Sequence, residues 1–477
     1  MNSTATLEAV GDHRLRMAEY FEYVKQWDSD RQEKGWWHSF ELLDGTCIEG
    51  VCSLEGLKHR LAQFPIASNL RGKRVLDIGC WDGWFSFELE RRGAEVMAID
   101  CWDNPRFRQM HATYHSKVDY RQMDMYELTP QAIGRFDIVL FLGVLYHLKH
   151  PLLALERVCA LSKDVALVDS FILREEHLRG EPLEGELSTR PMMQFFETDE
   201  FGGQTDNWSG PNLPCLLAMC RTAGFARVQL QSVLDYSACV ACYRRWEESA
   251  GTAEPPELTD AAHMGNFGIN FSSNRDEYIS AWFTCNRNAL SLDDVKPEVG
   301  GYGVRPISLN RQDDGLWQVN FKLPPVDTGW QDVCVRIGDS KRSNCRRIAV
   351  DVPLDVSRLR LRGIKDGATW KVNELDLSKG SVLSVWLSGL PEHADRANIR
   401  ATLGNVPLDV LYVEPLKTER PASLWERLRG TPRQLNLGLP SGCQLTPEMP
   451  LLVTIGGRTV RQGSIRIQRG GSVLAHA

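Results

Sequence analysis

VLDIGCWDGWFSFELERRGAEVMAID, residues 75–100, carries the main folding signal of the chain. An apolar run ends at Gly79, a helix-like segment follows Gly83, and a second apolar run ends at Asp100. Strand, glycine turn, helix and strand in this order form one βαβ unit of a parallel sheet. The stretch therefore predicts an α/β domain.

Strand and helix candidates continue to alternate after this unit. They are, in order, FDIVLFL (136–142), HPLLALERVCALS (150–162), VALVDSFI (165–172), LPCLLAMCRTAGF (213–225) and ARVQLQSVL (226–234). Pro151 stands well at the start of the first of these helices. We expect a Rossmann-like domain with a doubly wound, mostly parallel sheet at residues 71–243, preceded by a helical substrate-lid segment at residues 1–70.

The second half of the chain has a different texture. Residues 244–262 hold two prolines and no apolar periodicity, which predicts a linker. Two later stretches, beginning at Trp317 and Arg433, share the pattern Q-(V/L)-N-(F/L)-x-L-P before a turn and a V-x-I-G strand. The pattern resembles bacterial immunoglobulin-like modules and predicts two all-β immunoglobulin-like sandwich domains, at 263–352 and 353–477. The alternative is two unrelated β-domains that share a common hairpin.

Composition narrows the class of protein. The 477 residues carry 55 Lys and Arg against 62 Asp and Glu, a net charge of −7, so no overall positive field would hold nucleic acid. The longest apolar run, 136–148, is too short to span a bilayer, and the first residues lack the order of a signal peptide. Thirteen cysteines without a repeating framework are typical of free thiols. We expect a cytoplasmic protein without membrane association.

The glycine turn GCWDG (79–83) selects the ligand. It lets the backbone approach a ligand at a helix N-terminus, and Asp100 stands where an acid accepts hydrogen bonds from ribose hydroxyls. A dinucleotide enzyme would have G-x-G-x-x-G, whereas Trp81 and Asp82 would oppose a pyrophosphate. They suit an adenosyl group that bears a sulfonium and an amino acid. The predicted cofactor is S-adenosylmethionine.

FDIVLFLGVLYHLKHPLLALERV (136–158), with its GVLYH-x-x-x-P core, adds a second motif. Together with the turn and Asp100 it resembles the class I S-adenosylmethionine-dependent methyltransferases, in the branch related to the bacterial tRNA wobble-uridine (mo5U/cmo5U) transferases. The resemblance covers residues 30–240. It implies that the methionine tail of the cofactor lies at the turn, the ribose at Asp100 and the adenine near residues 123–125. Leu142 and Tyr146 would line the sulfonium side. The implied cofactor-binding residues are Asp77, Gly79, Cys80, Trp81, Asp82, Gly83, Asp100, Asp124, Leu142 and Tyr146.

The chain also departs from this branch. Trp81 stands where the broad class has its middle glycine. The wobble-uridine enzyme that transfers a carboxymethyl group uses an N-terminal lysine and further basic contacts. Lys34 and Lys58 are the candidates for that place, but the tryptophans around them do not line up. The departures favour ordinary methyl transfer.

Candidate catalytic residues lie near strand ends and in loops. His147 follows Tyr146 at the carboxyl end of a strand, where a general base for a hydroxyl acceptor would stand. The alternative for His147 is a surface residue beside the next helix. Asp169 either steers an acceptor or makes a structural hydrogen bond. Glu197 either serves as a base or belongs to a solvated acidic face.

Two clusters of aromatic and amide residues are candidates for acceptor contacts. One holds Trp36 and His38, and the other, DNWSGPN, holds Asn207, Trp208 and Asn212. Such groups stack on and hydrogen-bond to an acceptor, and the alternative is loop packing. Two pairs of cysteines give weaker functional signals. A lone CxxC at 239–242 predicts a buried strand rather than a metal site. The Cys334 and Cys345 thiols are expected to stay free. No metal is expected.

These patterns predict an S-adenosylmethionine-dependent methyltransferase that methylates an oxygen of a small-molecule or saccharide acceptor. One alternative is a wobble-uridine tRNA transferase, which the pI of about 5.9 disfavours. The other is a binding or scaffold protein whose methyltransferase fold has lost turnover, which the intact turn and Asp100 disfavour. The β-domains are expected to serve self-association or substrate recognition.

Overall fold

The computed structural model describes residues 26, 29–30, 32–174, 189–201, 203–234, 236–414 and 431–468. Its contacts divide the chain into two compact units. Unit 1 runs to Glu248 and includes Gly301–Arg305, and unit 2 consists of Ser249–Gly300 and the chain from Pro306 onward. Within the described ranges, no helix is long and apolar enough to cross a membrane.

Unit 1 is built on strands. They are β1 (Phe40–Glu41), β2 (Cys47–Ile48), β3 (Arg74–Ile78), β4 (Glu95–Asp100), β5 (Asp119–Gln122), β6 (Phe136–Leu142), β7 (Ser162–Phe171), β8 (Met193–Phe195), β9 (Ser209–Pro211), β10 (Arg227–Val233) and β11 (Ser237–Tyr243). A 7-stranded sheet has the order β10-β11-β7-β6-β3-β4-β5. Neighbouring strands from β5 to β7 are parallel, and β11 runs antiparallel to both β7 and β10. This is the mostly parallel sheet that the sequence predicts.

Helices pack on both faces of this sheet. They are α1 (Leu54–Ala62), α2 (Trp84–Arg91), α3 (Pro105–Thr113), α4 (Pro130–Ile133), α5 (Pro151–Leu161) and α6 (Leu213–Thr222). Successive strand residues point to opposite faces, so β3 and β6 contribute to two cores. Leu76 and Val139 lie in one core, and Val75 and Leu140 lie in the other. Because these strands are buried on both faces of the sheet, their sequences are almost continuously apolar.

The sheet reverses its order at β3, which lies between β4 and β6. Open α/β sheets bind their ligands in the crevice outside the carboxyl ends of the strands at such a point. Gly79 follows β3 directly and Gly143 follows β6 directly. The fold thus brings both sequence motifs to one edge of the sheet.

The remaining strands all lie in unit 2, except for β16. They are β12 (Glu257–His263), β13 (Asn270–Phe271), β14 (Tyr278–Thr284), β15 (Val295–Val299), β16 (Tyr302–Gly303, which belongs to unit 1), β17 (Pro306–Arg311), β18 (Trp317–Lys322), β19 (Gly329–Ile337), β20 (Arg346–Val350), β21 (Arg360–Asp366), β22 (Glu374–Asp376), β23 (Val382–Ser388), β24 (Ile399–Leu403), β25 (Val406–Val413), β26 (Arg433–Gly438), β27 (Glu448–Ile455) and β28 (Arg458–Gln468). Its sheets have the orders β12-β14-β18-β17, β13-β20-β19-β15 and β21-β23-β26-β25-β24-β27-β28-β22. An α/β domain followed by strand-rich domains is therefore confirmed, whereas the boundary at residues 352 and 353 stays a prediction.

The stretch 244–262 differs from the expected linker because its end forms most of β12. Leu258 and Ala261 of this strand are buried. A bulge between Leu258 and Asp260 shifts the pairing of β12 with β14. The bulge breaks the two-residue alternation, which is why the sequence gives no strand pattern here.

Unit 1 includes a short segment from later in the chain. The guanidinium carbon of Arg244, a fully buried residue, lies 4.1 Å from the centre of the Tyr302 ring. The Gly303 amide donates a hydrogen bond of 2.9 Å to the carbonyl oxygen of Arg244. A cation over an aromatic face and a backbone bond thus tie Gly301–Arg305 into this unit.

Candidate active site

The turn between β3 and α2 is shaped by two glycines. Gly79 has φ 72° and Gly83 has φ 90°, in the left-handed region that favours glycine. A Cβ atom at Gly79 would clash with Cγ2 of Val144, and one at Gly83 would clash with the Phe107 ring. Gly83 also begins α2 without a side-chain cap, so the first amides of that helix are not occupied by a capping side chain. Both positions require glycine for the backbone and for packing.

Asp100 is the last residue of β4, and its side chain stabilises this turn by hydrogen bonds. Its carboxylate accepts hydrogen bonds from the amides of Trp81, at 3.0 Å, and Trp102, at 3.1 Å. The side chain is buried. Because each carboxylate oxygen has two lone pairs, Asp100 keeps acceptor capacity for further donors such as ribose hydroxyls.

Asp77 lies under the turn in a fully enclosed position. The Ser86 hydroxyl donates a hydrogen bond of 2.6 Å to its carboxylate. Burial raises the pKa of Asp77 to about 6, against the opposing effect of the Ser86 hydrogen bond. The neutral acid is therefore favoured at mildly acidic pH.

We expect Asp77→Asn to change how stability depends on pH. The folded pKa of Asp77, about 6, lies above its ordinary value of 3.8, so this residue stabilises the fold below pH 3.8 and loses that contribution as pH rises through 6. Asparagine stays neutral, so the free energy of unfolding of the variant should gain about 2–3 kcal/mol on wild type between pH 4 and pH 7.5. Urea denaturation of both proteins at the two pH values measures the difference, with exposed Asp119→Asn as the control. A constant difference would contradict the raised pKa.

Asp82 and Cys80, two residues of the predicted cofactor site, make contacts within the protein. Asp82 is fully buried, and its carboxylate accepts hydrogen bonds from the amides of Trp37, at 3.2 Å, and His38, at 3.0 Å. It also pairs with Nδ1 of His38. The Cys80 side chain packs into the core. The Asp82 side chain thus anchors the segment around His38, and the Cys80 side chain fills the interior. Their contact with the cofactor stays a prediction.

The Asp82 contacts bring the first aromatic cluster onto the turn. Trp36 packs its ring 5.5 Å from Phe40, and the Arg106 guanidinium carbon lies 5.1 Å from the same Trp36 ring. His38 is buried against Phe85 at 5.8 Å. The acceptor role expected for Trp36 and His38 stays a prediction, and their observed contacts are packing contacts.

The expected adenine region lies beyond β5. Asp124 is exposed, and its carboxylate accepts a 2.8 Å hydrogen bond from the amide of Tyr126, which caps the short 3-10 turn Met125–Glu127. Met125 is buried in the core, and the Met123 amide bonds to the Asp100 carbonyl oxygen at 2.9 Å. The backbone around Met123 is thus tied to the end of β4, while the Asp124 side chain acts as a cap.

Tyr146 and His147 lie in a 3-10 turn, Leu145–His147, after β6. Nδ1 of His147 lies 3.1 Å from the backbone carbonyl oxygen of Asp206. A carbonyl oxygen only accepts, so Nδ1 carries the proton and Nε2 is the basic nitrogen of the neutral ring. Burial raises the pKa of the Tyr146 phenol, and its ring stacks on Phe201 at 5.6 Å.

The segment with Asn207 and Trp208 covers this turn. The Trp208 amide donates a 2.8 Å hydrogen bond to the carbonyl oxygen of Tyr146. Lys149 Nζ lies 4.2 Å from the centre of the Trp208 ring. Asn207 is buried and donates to Gln204 at 3.0 Å, while its Oδ1 atom has no hydrogen-bond partner within the described ranges. The structure thus brings Asn207 and Trp208 together with Tyr146 and His147.

Asn212, a residue expected to contact the acceptor, makes hydrogen bonds within the protein. Its Oδ1 atom accepts from the amides of Cys215, at 2.9 Å, and Met192, at 3.1 Å, and its Nδ2 atom donates to the carbonyl oxygen of Arg190 at 2.6 Å. These bonds cap α6 and fasten the preceding strand pair. An Asn followed by Leu-Pro at a helix start is a capping signal. The acceptor role of Asn212 stays a prediction.

Glu197 and Asp169 have different outcomes. Glu197 is exposed, which is the position expected of a residue on a solvated acidic face, and its role as a base stays a prediction. Asp169 is buried in register with Leu142, the last residue of β6, and Arg60 Nη2 lies 2.9 Å from its carboxylate. Burial raises the pKa of Asp169 and the Arg60 charge opposes that rise. Arg60, on α1, escaped the sequence reasoning because a lone arginine in an amphipathic helix gives no signal.

The paired cysteines are free thiols. Cys239 and Cys242 are buried on β11, as the strand interpretation of CxxC predicts. Cys334 and Cys345 are likewise unbridged. The described part of the chain holds no group of three or more His, Cys, Asp or Glu residues arranged to bind a metal ion.

The family comparison matches this geometry. Residues 52–202 match the family model described as a methyltransferase domain. The chain carries a methyltransferase domain. The matched range contains the glycine turn, Asp100 and the Tyr146–His147 turn. The prediction of a methyltransferase domain is thereby confirmed for these residues.

Curated relatives match only part of the chain. A tRNA U34 carboxymethyltransferase of Pseudomonas fluorescens is 25% identical over 168 residues, 35% of this chain and 49% of that protein. A ubiquinone biosynthesis O-methyltransferase of Acinetobacter baylyi is 33% identical over 88 residues, 18% of this chain and 37% of that protein. The chain spans about half the length of the tRNA relative.

Solved structures give similar coverage. The N-terminal domain of EvdMO1, crystallised with SAH and D-fucose, is 19% identical with a TM-score of 0.34 and covers 46% of this chain and 96% of that one. Magnesium protoporphyrin IX methyltransferase of Synechocystis, with bound SAM, is 18% identical with a TM-score of 0.29, and the match covers 40% of this chain and 78% of that one.

Proposed function

We propose that the methyltransferase domain transfers a methyl group from S-adenosylmethionine to an oxygen of a small-molecule or saccharide acceptor. One observation carries the proposal: the two turns meet. A methyl group of Val144 packs against Gly79, and Val144 stands two residues before Tyr146 and three before His147. The cofactor turn and the proposed catalytic turn therefore face the same crevice.

The cofactor supplies an activated methyl group on a sulfonium. Methyl transfer is an in-line displacement, so the domain accelerates it chiefly by holding donor and acceptor in line. The Gly79–Gly83 backbone would hold the methionine tail, Asp100 the ribose hydroxyls, and Leu142 and Tyr146 the sulfonium side. In this proposal the buried Asp77 carboxyl acts through the turn rather than on the ligand.

An oxygen acceptor also has to lose a proton. His147 presents Nε2 as its basic nitrogen because Asp206 holds the proton on Nδ1. A general base of this kind takes the hydroxyl proton as the new C–O bond forms. The Asn207 Oδ1 atom, buried without a partner among the described residues, is a candidate acceptor for a substrate hydroxyl.

A wobble-uridine tRNA transferase is the second candidate. The similarity to the tRNA U34 carboxymethyltransferase supports it. The net charge of −7 weighs against it, because tRNA binding rests on cationic contacts to phosphates. Small or neutral acceptors remain the better match.

Mass spectrometry of ligands that copurify with the full chain separates the candidates. We expect S-adenosylmethionine or its homocysteine product without an extra carboxylate, and label from a tritiated methyl donor in a small-molecule or saccharide fraction. Recovery of the carboxylated cofactor together with labelled tRNA would establish the second candidate. Failure of both S-adenosylmethionine and its carboxylated form to bind in titration calorimetry would contradict both candidates.

A further inference from the structure

Two sheets of unit 2 carry the same four side chains in the same register, two serines of which, Ser280 and Ser384, are buried. β14 and β23 each present Ser-x-Trp, and the neighbouring β18 and β26 each present Gln-x-Asn. The first quartet is Ser280, Trp282, Gln318 and Asn320, and the second quartet is Ser384, Trp386, Gln434 and Asn436. In both, tryptophan lies opposite glutamine and serine lies opposite asparagine.

The hydrogen bonds inside the quartets also repeat. In the first, the serine hydroxyl donates to the asparagine Oδ1 atom at 2.7 Å and the glutamine Nε2 atom donates to the same oxygen at 3.1 Å. In the second, the same two bonds measure 3.1 Å and 2.8 Å. The strand residues between the quartet members are buried in the core, so the quartets occupy the opposite face. Two copies of one polar arrangement outside the core call for a shared role.

Each quartet tryptophan has an exposed aromatic neighbour. The Phe267 ring lies 6.3 Å from Trp282 and is 66% exposed, and the Trp370 ring lies 6.2 Å from Trp386 and is 55% exposed. Both neighbours have a positive φ, 58° and 62°, which is uncommon for residues other than glycine. The same turn produces both, because each amide bonds to the carbonyl oxygen four residues earlier, that of His263 or Asp366.

We propose that each quartet with its aromatic neighbour binds a neutral saccharide chain. Sugar rings have apolar C–H faces that pack on aromatic rings, and hydroxyls that match the donors and acceptors of amide side chains. In the second quartet, the Gln434 Oε1 and Asn436 Nδ2 atoms have no protein partner within the described ranges, so they are available to a ligand. In the first quartet the corresponding atoms bond to Gln312, at 2.8 Å, and Ser308, at 2.9 Å, so a ligand there would contact mainly the aromatic rings. In the second quartet Lys365 adds a donor, 5.5 Å and 5.7 Å from the two tryptophan rings.

The charge and shape of the faces favour this occupant over other polymers. The quartet side chains are uncharged, which fits a neutral ligand, whereas nucleic acid needs a row of cations. An extended peptide binds the open edge of a sheet through backbone groups, but the quartets lie on paired central strands. Two sites on one chain would raise the apparent affinity for a long polymer.

Native electrophoresis of the full chain in gels containing dextran, galactomannan or xyloglucan tests the proposal. We expect at least one polysaccharide to retard the protein without any cofactor present. Phe267→Ala and Trp370→Ala, both at exposed positions that should spare the fold, should each weaken retardation about tenfold, and the double variant should remove it. Trp330→Ala serves as the matched control, because Trp330 lies on β19, in a sheet that carries neither quartet. This variant should migrate like wild type.

Two results would overturn the proposal. One is normal migration of the wild type in all three gels, and the other is equal retardation of wild type and double variant. Binding of denatured casein instead of polysaccharide would show a peptide surface and would also overturn it. Because no cofactor is added, these outcomes are independent of whether the methyltransferase domain turns over.

Discussion

Replacing His147 with alanine should lower turnover by about 10²–10⁴-fold and leave the affinity for S-adenosylmethionine nearly unchanged. In our proposal Nε2 of His147 serves the acceptor, while cofactor binding depends on the glycine turn and Asp100. Single-turnover methyl transfer and titration calorimetry measure the two quantities separately. The loss in rate should shrink at high pH, where the acceptor hydroxyl ionises more readily without a base.

His150→Ala is the matched control, since His150 is exposed three residues later at the start of α5. It should retain wild-type turnover. If His147→Ala keeps turnover within a few-fold, catalysis rests on positioning alone. Asn207 then becomes the residue to replace, because Asn212 is occupied as a helix cap.

Replacing Asp100 with alanine should weaken S-adenosylmethionine binding about 10- to 150-fold, the equivalent of about 1.5–3 kcal/mol for charge-assisted hydrogen bonds. The variant loses the proposed ribose contacts and also releases the amides of Trp81 and Trp102. Titration calorimetry of wild type and variant gives the difference directly.

Asp100→Asn separates the two effects, since its amide oxygen still accepts one backbone hydrogen bond. Asp103→Ala is the control, because Asp103 lies nearby and pairs with Arg108 away from the turn. Equal affinity in wild type and Asp100→Ala would contradict the placement of the ribose.

Local backbone rules made the turn predictable. Gly79 and Gly83 follow from a strand that must turn sharply into a helix, and Asp100 follows from the βαβ spacing. The roles of Asp82 and Asp169 were less accessible. Their partners, His38 and Arg60, are distant in the sequence, and pairing across such distances depends on how segments pack rather than on any spacing.

Side chains that serve either a ligand or the backbone were the hardest to assign. Asn212 and Asp124 are polar residues next to a helix start, and both hydrogen-bond to backbone amides. Serine, asparagine and aspartate favour such positions for this reason. In the β-rich half, the repeated Q-x-N pattern was visible in the sequence, whereas its Ser-x-Trp partners became apparent only when strand pairing set them side by side.

The Gly301–Arg305 segment bears on how this chain arose and how it can be re-engineered. Unit 1 consists of the residues up to Glu248 and of Gly301–Arg305. The backbone therefore passes between the units after residue 248, after residue 300 and again after residue 305. A crossover or gene fusion at Glu248 alone would strip Tyr302 from the buried Arg244 and leave its guanidinium without that aromatic cover. The two halves are therefore not freely interchangeable modules, and a transplantable catalytic half has to carry a replacement for this loop.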